Sequence, residues 1–354
     1  RSLAILLVVL AHSVLSYGAP AHLSPLQLGG TGVDLFFVLS GWLLGGLLFK
    51  EASKNGKIDL KRFWARRWMR TLPAYYAVLS LSVAQRYLTK DNVEFPWEYL
   101  VFLQNYDYPL GFFSITWSLC VEEQFYLFIA PTLGFLALTS RRFTTLTLLS
   151  LLLLPFLFRA LGWYGNINET HVHIDGCVAG VLLAHIHHQY QDVWSKITRF
   201  APHIAGLSVS GYLFFFVARY HPEWGVAEPD KLLLAVLFGA FVVVANGNQT
   251  WRNRLYLPGA YYIATRSYSL SLLHPEVLAL LRRFLPDAPF VLYLPIALLG
   301  SLMLAEVLYR CVEKPIMDAR ENFVFSSAAK QRGHGIAGGP AEGAVEGAPA
   351  KNCP

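Results

Sequence analysis

The apolar residues of this chain fall into long blocks separated by short polar stretches, and that spacing decides what it can fold into. The blocks run to roughly 16–24 residues, close to the ~20 that carry an α-helix across a bilayer. A transmembrane β-barrel would instead need short segments of alternating polarity. Composition agrees: 55% of the 354 residues are hydrophobic and only 15% are charged, against about 25% charged in soluble domains. The expected fold is an all-α, polytopic membrane bundle of about ten transmembrane helices. The predicted spans are 2–17, 33–49, 72–88, 117–138, 143–161, 174–188, 202–219, 231–246, 261–281 and 289–311.

Lys and Arg in the short loops set the orientation. The stretch after the second span holds Lys50, Lys54, Lys57, Lys61, Arg62, Arg66, Arg67 and Arg70 and is expected on the cytoplasmic side. With ten spans, both termini are then cytoplasmic. Arg141 and Arg142, Lys196 and Arg199, Arg252 and Arg254, and Lys314 and Arg320 fall on the same side. Lys90 is alone in its outside loop, and Arg282 and Arg283 break the rule. The net charge of +6 thus reads as a topology signal and a contact with the lipid bilayer, not as a nucleic-acid footprint. Residues 1–320 form the predicted transmembrane domain, and the Gly, Ala and Pro-rich 321–354 a disordered cytoplasmic tail. The first residue is Arg and the first apolar run has no polar leader, so a short preceding stretch is expected. Cys120, Cys177, Cys311 and Cys353 show no CxxC spacing, and the first three read as packing residues.

Six ionisable groups lie inside the apolar register: His12, Asp34, Glu122, Glu123, Asp175 and His274. Arg1 and His12 bracket one apolar run, and eleven residues of helix rise about 16 Å, half of a ~30 Å hydrocarbon core. An imidazole near the midplane is costly to bury and marks a functional site by default. A histidine beside a carboxylate can act as a general base. Each residue also has a plainer reading: a helix–helix hydrogen bond for a lone His, and an N-cap for Asp34. Glu122 and Glu123 point about 100° apart on a helix, so one faces a site and the other a neighbouring helix. Six groups at overlapping depths nevertheless point to one shared polar pocket. Trp117 and Tyr126, in the same segment, read partly as interfacial anchors.

Arg66 and Arg70 share a helical face, with Arg67 beside them. They fit either anchoring to anionic headgroups or bidentate binding of phosphates, as in a nucleotide-bearing donor such as coenzyme A. Pro73 suits the first turn of the third span. His171 and His173, with His185, His187 and His188, have metal-like spacing. The predicted topology puts the two groups at opposite membrane faces, so no metal site is expected.

These segments, in this order, resemble the acyltransferase-3 family of integral membrane O-acyltransferases, from Arg1 to about Arg320. The resemblance rests on Arg1-x10-His12, on Gly32-Val-Asp-Leu-Phe-Phe-Val-Leu-Ser-Gly41 and on Phe63-x-x-Arg66-Arg67-x-x-Arg70 followed by Pro73. Trp117-Ser-Leu-x-x-Glu122-x-x-Phe-Tyr126, Ser267-Tyr-Ser-Leu-Ser-Leu-Leu-His274-Pro and Val312-Glu-Lys-Pro315 complete it. The chain departs from the family in having His173-Ile-Asp175 where an Arg often precedes the Asp. It looks like a stand-alone form without a fused SGNH domain.

The resemblance implies a multi-pass protein of the plasma (inner) membrane. Its reaction would move an acyl group, usually acetyl, from cytoplasmic acyl-CoA to a hydroxyl of a carbohydrate or small molecule, without a metal. It implies phosphates on Arg66, Arg67 and Arg70, and His12, assisted by Glu122, as general base or acyl relay. Arg1 would bind a phosphate or the thioester carbonyl region, or orient its helix. Asp34, Glu123, Asp175 and His274 would serve the acceptor. The rival reading is a proton-coupled transporter or flippase, which often shows inverted repeats with broken helices; the sequence shows no repeat.

Overall fold

The computed structural model describes residues 1–89, 94–107, 113–247 and 257–320. Lys90, Arg252, Arg254, Cys353 and the predicted tail 321–354 lie outside the described residues. Every regular element among the described residues is helical. The helices are α1 (Ser2–Ser16), α2 (Gly32–Asn55), α3 (Leu60–Thr89), α4 (Trp117–Leu136), α5 (Arg141–Ala160) and α6 (Asp175–Gln189). They continue as α7 (Gln191–Arg199), α8 (Ala201–Ala218), α9 (Lys231–Gly247), α10 (Ala260–Phe284) and α11 (Phe290–Leu308). A 3-10 segment, Ala21–Thr31, packs along α1, and a π-helical turn, Tyr309–Glu313, extends α11.

Each predicted span has a helical counterpart. Five stretches are long and apolar enough to cross a membrane: Ala21–Asn55, Trp117–Leu136, Arg141–Ala160, Ala201–Ala218 and Phe290–Arg320. α1 and α9 are shorter apolar helices.

Several sequence expectations need correction. The basic stretch after the second span is not a loop. α2 runs on to Asn55 and α3 starts at Leu60, so Lys61 to Arg70 form the first turns of α3. Asp59 sets that start by accepting the Arg62 N–H on its carboxylate (3.0 Å), as an N-cap does. Pro73 therefore lies inside α3, not in its first turn. The amphipathic α7 occupies what read as a loop, with Trp194 buried. Cys120 and Cys177 are buried, but Cys311 is exposed.

α2 and α6 form the central pair, and small residues explain how. Gly41-x3-Gly45 on α2 faces Gly176-x3-Gly180 on α6, the spacing that lets two backbones touch. A Cβ on Gly41 would lie 1.9 Å from the Cys177 carbonyl oxygen, and one on Gly180 2.2 Å from that of Val38. Around this pair, Phe37, Leu44, Leu48, Tyr126, Ile129 and Leu133 build the largest apolar cluster, which draws in α4. α5, α8 and α11 are peripheral and leave leucines such as Leu146, Leu207 and Leu299 exposed, as lipid-facing helices do.

Two ionic clusters, each centred on a buried aspartate, tie α5 and the start of α9 to this centre. Arg159 on α5 donates to both Asp175 oxygens at 2.9 Å and to both Asp230 oxygens at 2.9 and 3.1 Å. Its Nη1 also donates to the Val172 carbonyl at 2.6 Å. One planar fork thus joins α5, α6 and the entry to α9. In the second cluster, Asp34 accepts from His173 (3.3 Å) and Lys231 (3.4 Å). Asp34 is therefore a buried ion-pair partner and not an N-cap.

An ammonium cannot reproduce the Arg159 fork. Arg159→Lys is expected to cost about 1.5–3 kcal/mol, the worth of a charged hydrogen bond, seen as a lower unfolding midpoint of the purified protein. An unchanged midpoint would show that the fork carries no stability.

Candidate active site

A cavity of about 240 Å³ lies between α1, α2, α3, α4 and α10. Periodicity explains its lining. Arg1, Ile5, Val8 and His12 form one stripe along α1, because eleven residues make just over three turns. α2 contributes Val33, Phe36, Phe37 and Ser40, and α10 contributes Ser267, Tyr268, Ser271 and His274, again in helical steps. α3 adds Arg67, Arg70 and Thr71, and α4 adds Trp117 and Glu122. A second, wider cavity of about 480 Å³ shares Arg1, Ser40, Arg67 and Arg70 with the first. It continues past Lys50 at the end of α2 to His187 and His188 at the end of α6.

The basic end is built around Arg67. Its guanidinium donates to the Tyr126 hydroxyl, lies 4.0 Å from the centre of that ring and faces Glu122 at 3.6 Å. Tyr126 is fully buried and its hydroxyl also bonds Ser40, so it is part of the site and not an interfacial anchor. Arg67 is thus fixed. The side chains of Arg1 and Arg70 make no hydrogen bond or ion pair among the described residues, and their charges face the same space.

The far end of the first cavity holds an imidazole pair. His12 Nδ1 lies 2.8 Å from His274 Nε2, and His274 Nδ1 lies 3.0 Å from the Leu270 carbonyl oxygen.

Of the residues singled out from sequence, Arg1, His12, Arg67, Arg70, Glu122 and His274 line one cavity. The others do not line it. Arg66 is exposed on α3, about 100° around the helix from Arg67. Glu123 is buried towards Thr71 and Trp68 of α3. Asp34 and Asp175 belong to the two ionic clusters described above. Glu122 is engaged by Arg67, and the partner of His12 is His274 rather than a carboxylate. Glu313, from the Val312-Glu-Lys-Pro315 segment, is buried and bonds Ser269, which ties the π turn to α10.

Sequence reasoning missed Lys50, His187 and His188 as cavity residues. Each could be placed at the inner end of its span, but not beside the others, and the histidines read as a metal-type pattern. Among the described residues no group of His, Cys, Asp and Glu is placed to hold a metal ion.

Residues 1–310 match the family described as the acyltransferase domain. A provisionally named O-acetyltransferase of Staphylococcus aureus strain COL is 29% identical over 319 residues, covering 81% of this chain and 52% of the relative. O-acetyltransferase OatA of Staphylococcus aureus strain NCTC 8325 is 28% identical over 333 residues, covering 83% of this chain and 54% of the relative. The chain spans about half the length of the curated relatives it matches. No solved structure matches it at a significant level.

Proposed function

This chain belongs to the acyltransferase-domain family that its residues 1–310 match, and on that premise we propose that it is a membrane-bound O-acyltransferase. It moves an acyl group, acetyl foremost, from acyl-CoA to a hydroxyl, with carbohydrate as the acceptor class. One observation carries this reading: the same cavity has three guanidinium groups at one end and a hydrogen-bonded imidazole pair at the other. Along α1 the two ends are about 16 Å apart.

The chemistry fits that distance. The donor presents phosphates, then a long flexible arm, then a thioester. Arg1 and Arg70, free of partners among the described residues, suit the phosphates, while Arg67 is held rigid beside them by Tyr126 and Glu122. The wider cavity with Lys50, His187 and His188 gives the nucleotide end a basic approach. The arm then runs along the α1 stripe towards His12. There the acceptor oxygen attacks the thioester carbonyl carbon; the C–O bond forms and the C–S bond breaks. His12 takes the hydroxyl proton and returns it to the departing thiolate. In this reading the basic end faces the cytoplasm of a plasma (inner) membrane, and the acceptor reaches the imidazole pair from the other side.

Arg70→Ala is expected to raise the KM for acetyl-CoA about 10- to 150-fold, the loss of one charged hydrogen bond at 1.5–3 kcal/mol, with little change in kcat. Arg66→Ala should leave both constants alone. A KM untouched by Arg70→Ala, or raised only by Arg66→Ala, would move the donor site elsewhere. The function itself is tested by incubating purified protein with labelled acetyl-CoA and a hydroxyl acceptor. A transferase releases free CoA and an ester; a transporter releases neither.

A further inference from the structure

A general base needs its lone pair turned towards the substrate, and histidine has two nitrogens to offer. We propose that His274 is a positioning residue that fixes the tautomer of His12, through a chain that starts at the Leu270 carbonyl. The consequence for catalysis rests on the acyl transfer proposed above; the tautomer itself does not.

The assignment follows from which atoms can donate. A carbonyl oxygen only accepts, so His274 Nδ1, 3.0 Å from the Leu270 oxygen, carries its ring hydrogen. In the neutral ring, His274 Nε2 is then the acceptor. That nitrogen lies 2.8 Å from His12 Nδ1, so His12 Nδ1 must be the donor. The lone pair of His12 is left on Nε2. For a neutral pair no other arrangement satisfies both contacts.

Ring geometry supports a hydrogen bond over face-to-face stacking. The ring planes are only 10° apart with centroids 5.0 Å apart. That separation is the N–N distance plus the two ring radii, so the rings lie end to end in nearly one plane. Both rings line the cavity, but His274 is buried, 1% exposed, whereas His12 is half-buried. The fixed member of the pair is therefore the one remote from solvent.

Three of the carboxylates singled out from sequence are occupied elsewhere. Glu122, the carboxylate expected to assist His12, is held by Arg67. Asp34 is held by His173 and Lys231, and Asp175 by Arg159. A neutral histidine side chain in water prefers its hydrogen on Nε2, which would turn the lone pair away from the substrate, so His274 selects the less common form. When His12 accepts the hydroxyl proton on Nε2, its Nδ1–H continues to donate to His274. The positive charge is then shared along that bond, towards the Leu270 carbonyl dipole.

The test is nitrogen NMR of the full-length protein in lipid nanodiscs with ¹⁵N-labelled histidine, the His12 signals being assigned by their loss in His12→Gln. In the wild type, His12 should show a protonated Nδ1 and a bare Nε2. His274→Leu should shift His12 to the Nε2–H form or to a mixture. It should also lower kcat about 10- to 100-fold, the loss seen when a hydrogen-bond partner that orients a metal-bound histidine is removed, with the KM for acetyl-CoA unchanged. His274→Gln, whose carboxamide oxygen can still accept from Nδ1, should recover most of the rate and the wild-type tautomer.

An Nε2–H form of His12 in the wild type would overturn the proposal, and that spectrum decides even if His274→Leu fails to fold. A His274→Leu protein with an unchanged tautomer or an unchanged kcat would also overturn it. A wild-type protein that transfers no acyl group would count against the proposed function instead, and the spectra would still decide the tautomer.

Discussion

His12→Ala is expected to insert and fold as the wild type does and to lose about 100- to 10,000-fold in kcat, the contribution of a positioned general base. The reasoning is local. His12 is half-buried on a cavity wall, so truncating it removes little packing. Its partner His274 keeps the bond from Nδ1 to the Leu270 carbonyl. The guanidinium end of the cavity lies about three helical turns away, so acetyl-CoA should bind with its usual KM. A parallel loss of donor binding would mean that His12 supports the fold, and full activity would place the base elsewhere.

Gly41→Leu and Gly180→Leu should each fail to give a folded protein. At both positions α2 and α6 meet backbone to backbone, and even a methyl group would sit about 2 Å from a carbonyl oxygen. Ordinary overpacking costs about 1–3 kcal/mol because side chains can shift. Here the obstacle is the partner's main chain, so the central pair itself must separate. That displaces Ser40, one step along α2 from Gly41, and with it the hold on Tyr126 and Arg67. Size-exclusion chromatography of fluorescently tagged variants should show aggregate or no protein. Gly134→Leu on α4, where a Cβ would meet nothing within 4 Å, should elute as the wild type does. A monodisperse Gly41→Leu would contradict the packing described for α2 and α6.

The helical architecture was legible because bilayer thickness fixes the length of an apolar block, and the spans lie close to the observed helices wherever such a block is uninterrupted. α3 was misjudged at its start because its first turns are basic and Trp-rich, so hydropathy alone could not see a helix that Asp59 begins. α7 was missed for the same reason. The α1 stripe could be read directly, since Arg1 and His12 stand a near-integral number of turns apart.

The fate of the buried charges could not be read in the same way. A carboxylate in an apolar helix looks alike in sequence whether it meets a substrate or an arginine. For Asp175 the partner is Arg159 on α5; for Asp34 the partners are His173 and Lys231, the latter almost two hundred residues away. Only three-dimensional packing reveals such pairings. It also removes Glu122 from His12 and supplies His274 instead. The paired glycines of α2 and α6 were present as a spacing, but spacing does not say which two helices will use it.

The central claim is that the His12 end of this cavity carries acyl transfer to a hydroxyl. It is tested most directly by mass spectrometry of base-labile acyl esters on surface glycans. Cells making the wild-type chain are compared with cells making His12→Gln at equal membrane levels. Esters present with the wild type and absent with His12→Gln are the expected result. Glycans acylated to the same extent in both would contradict it.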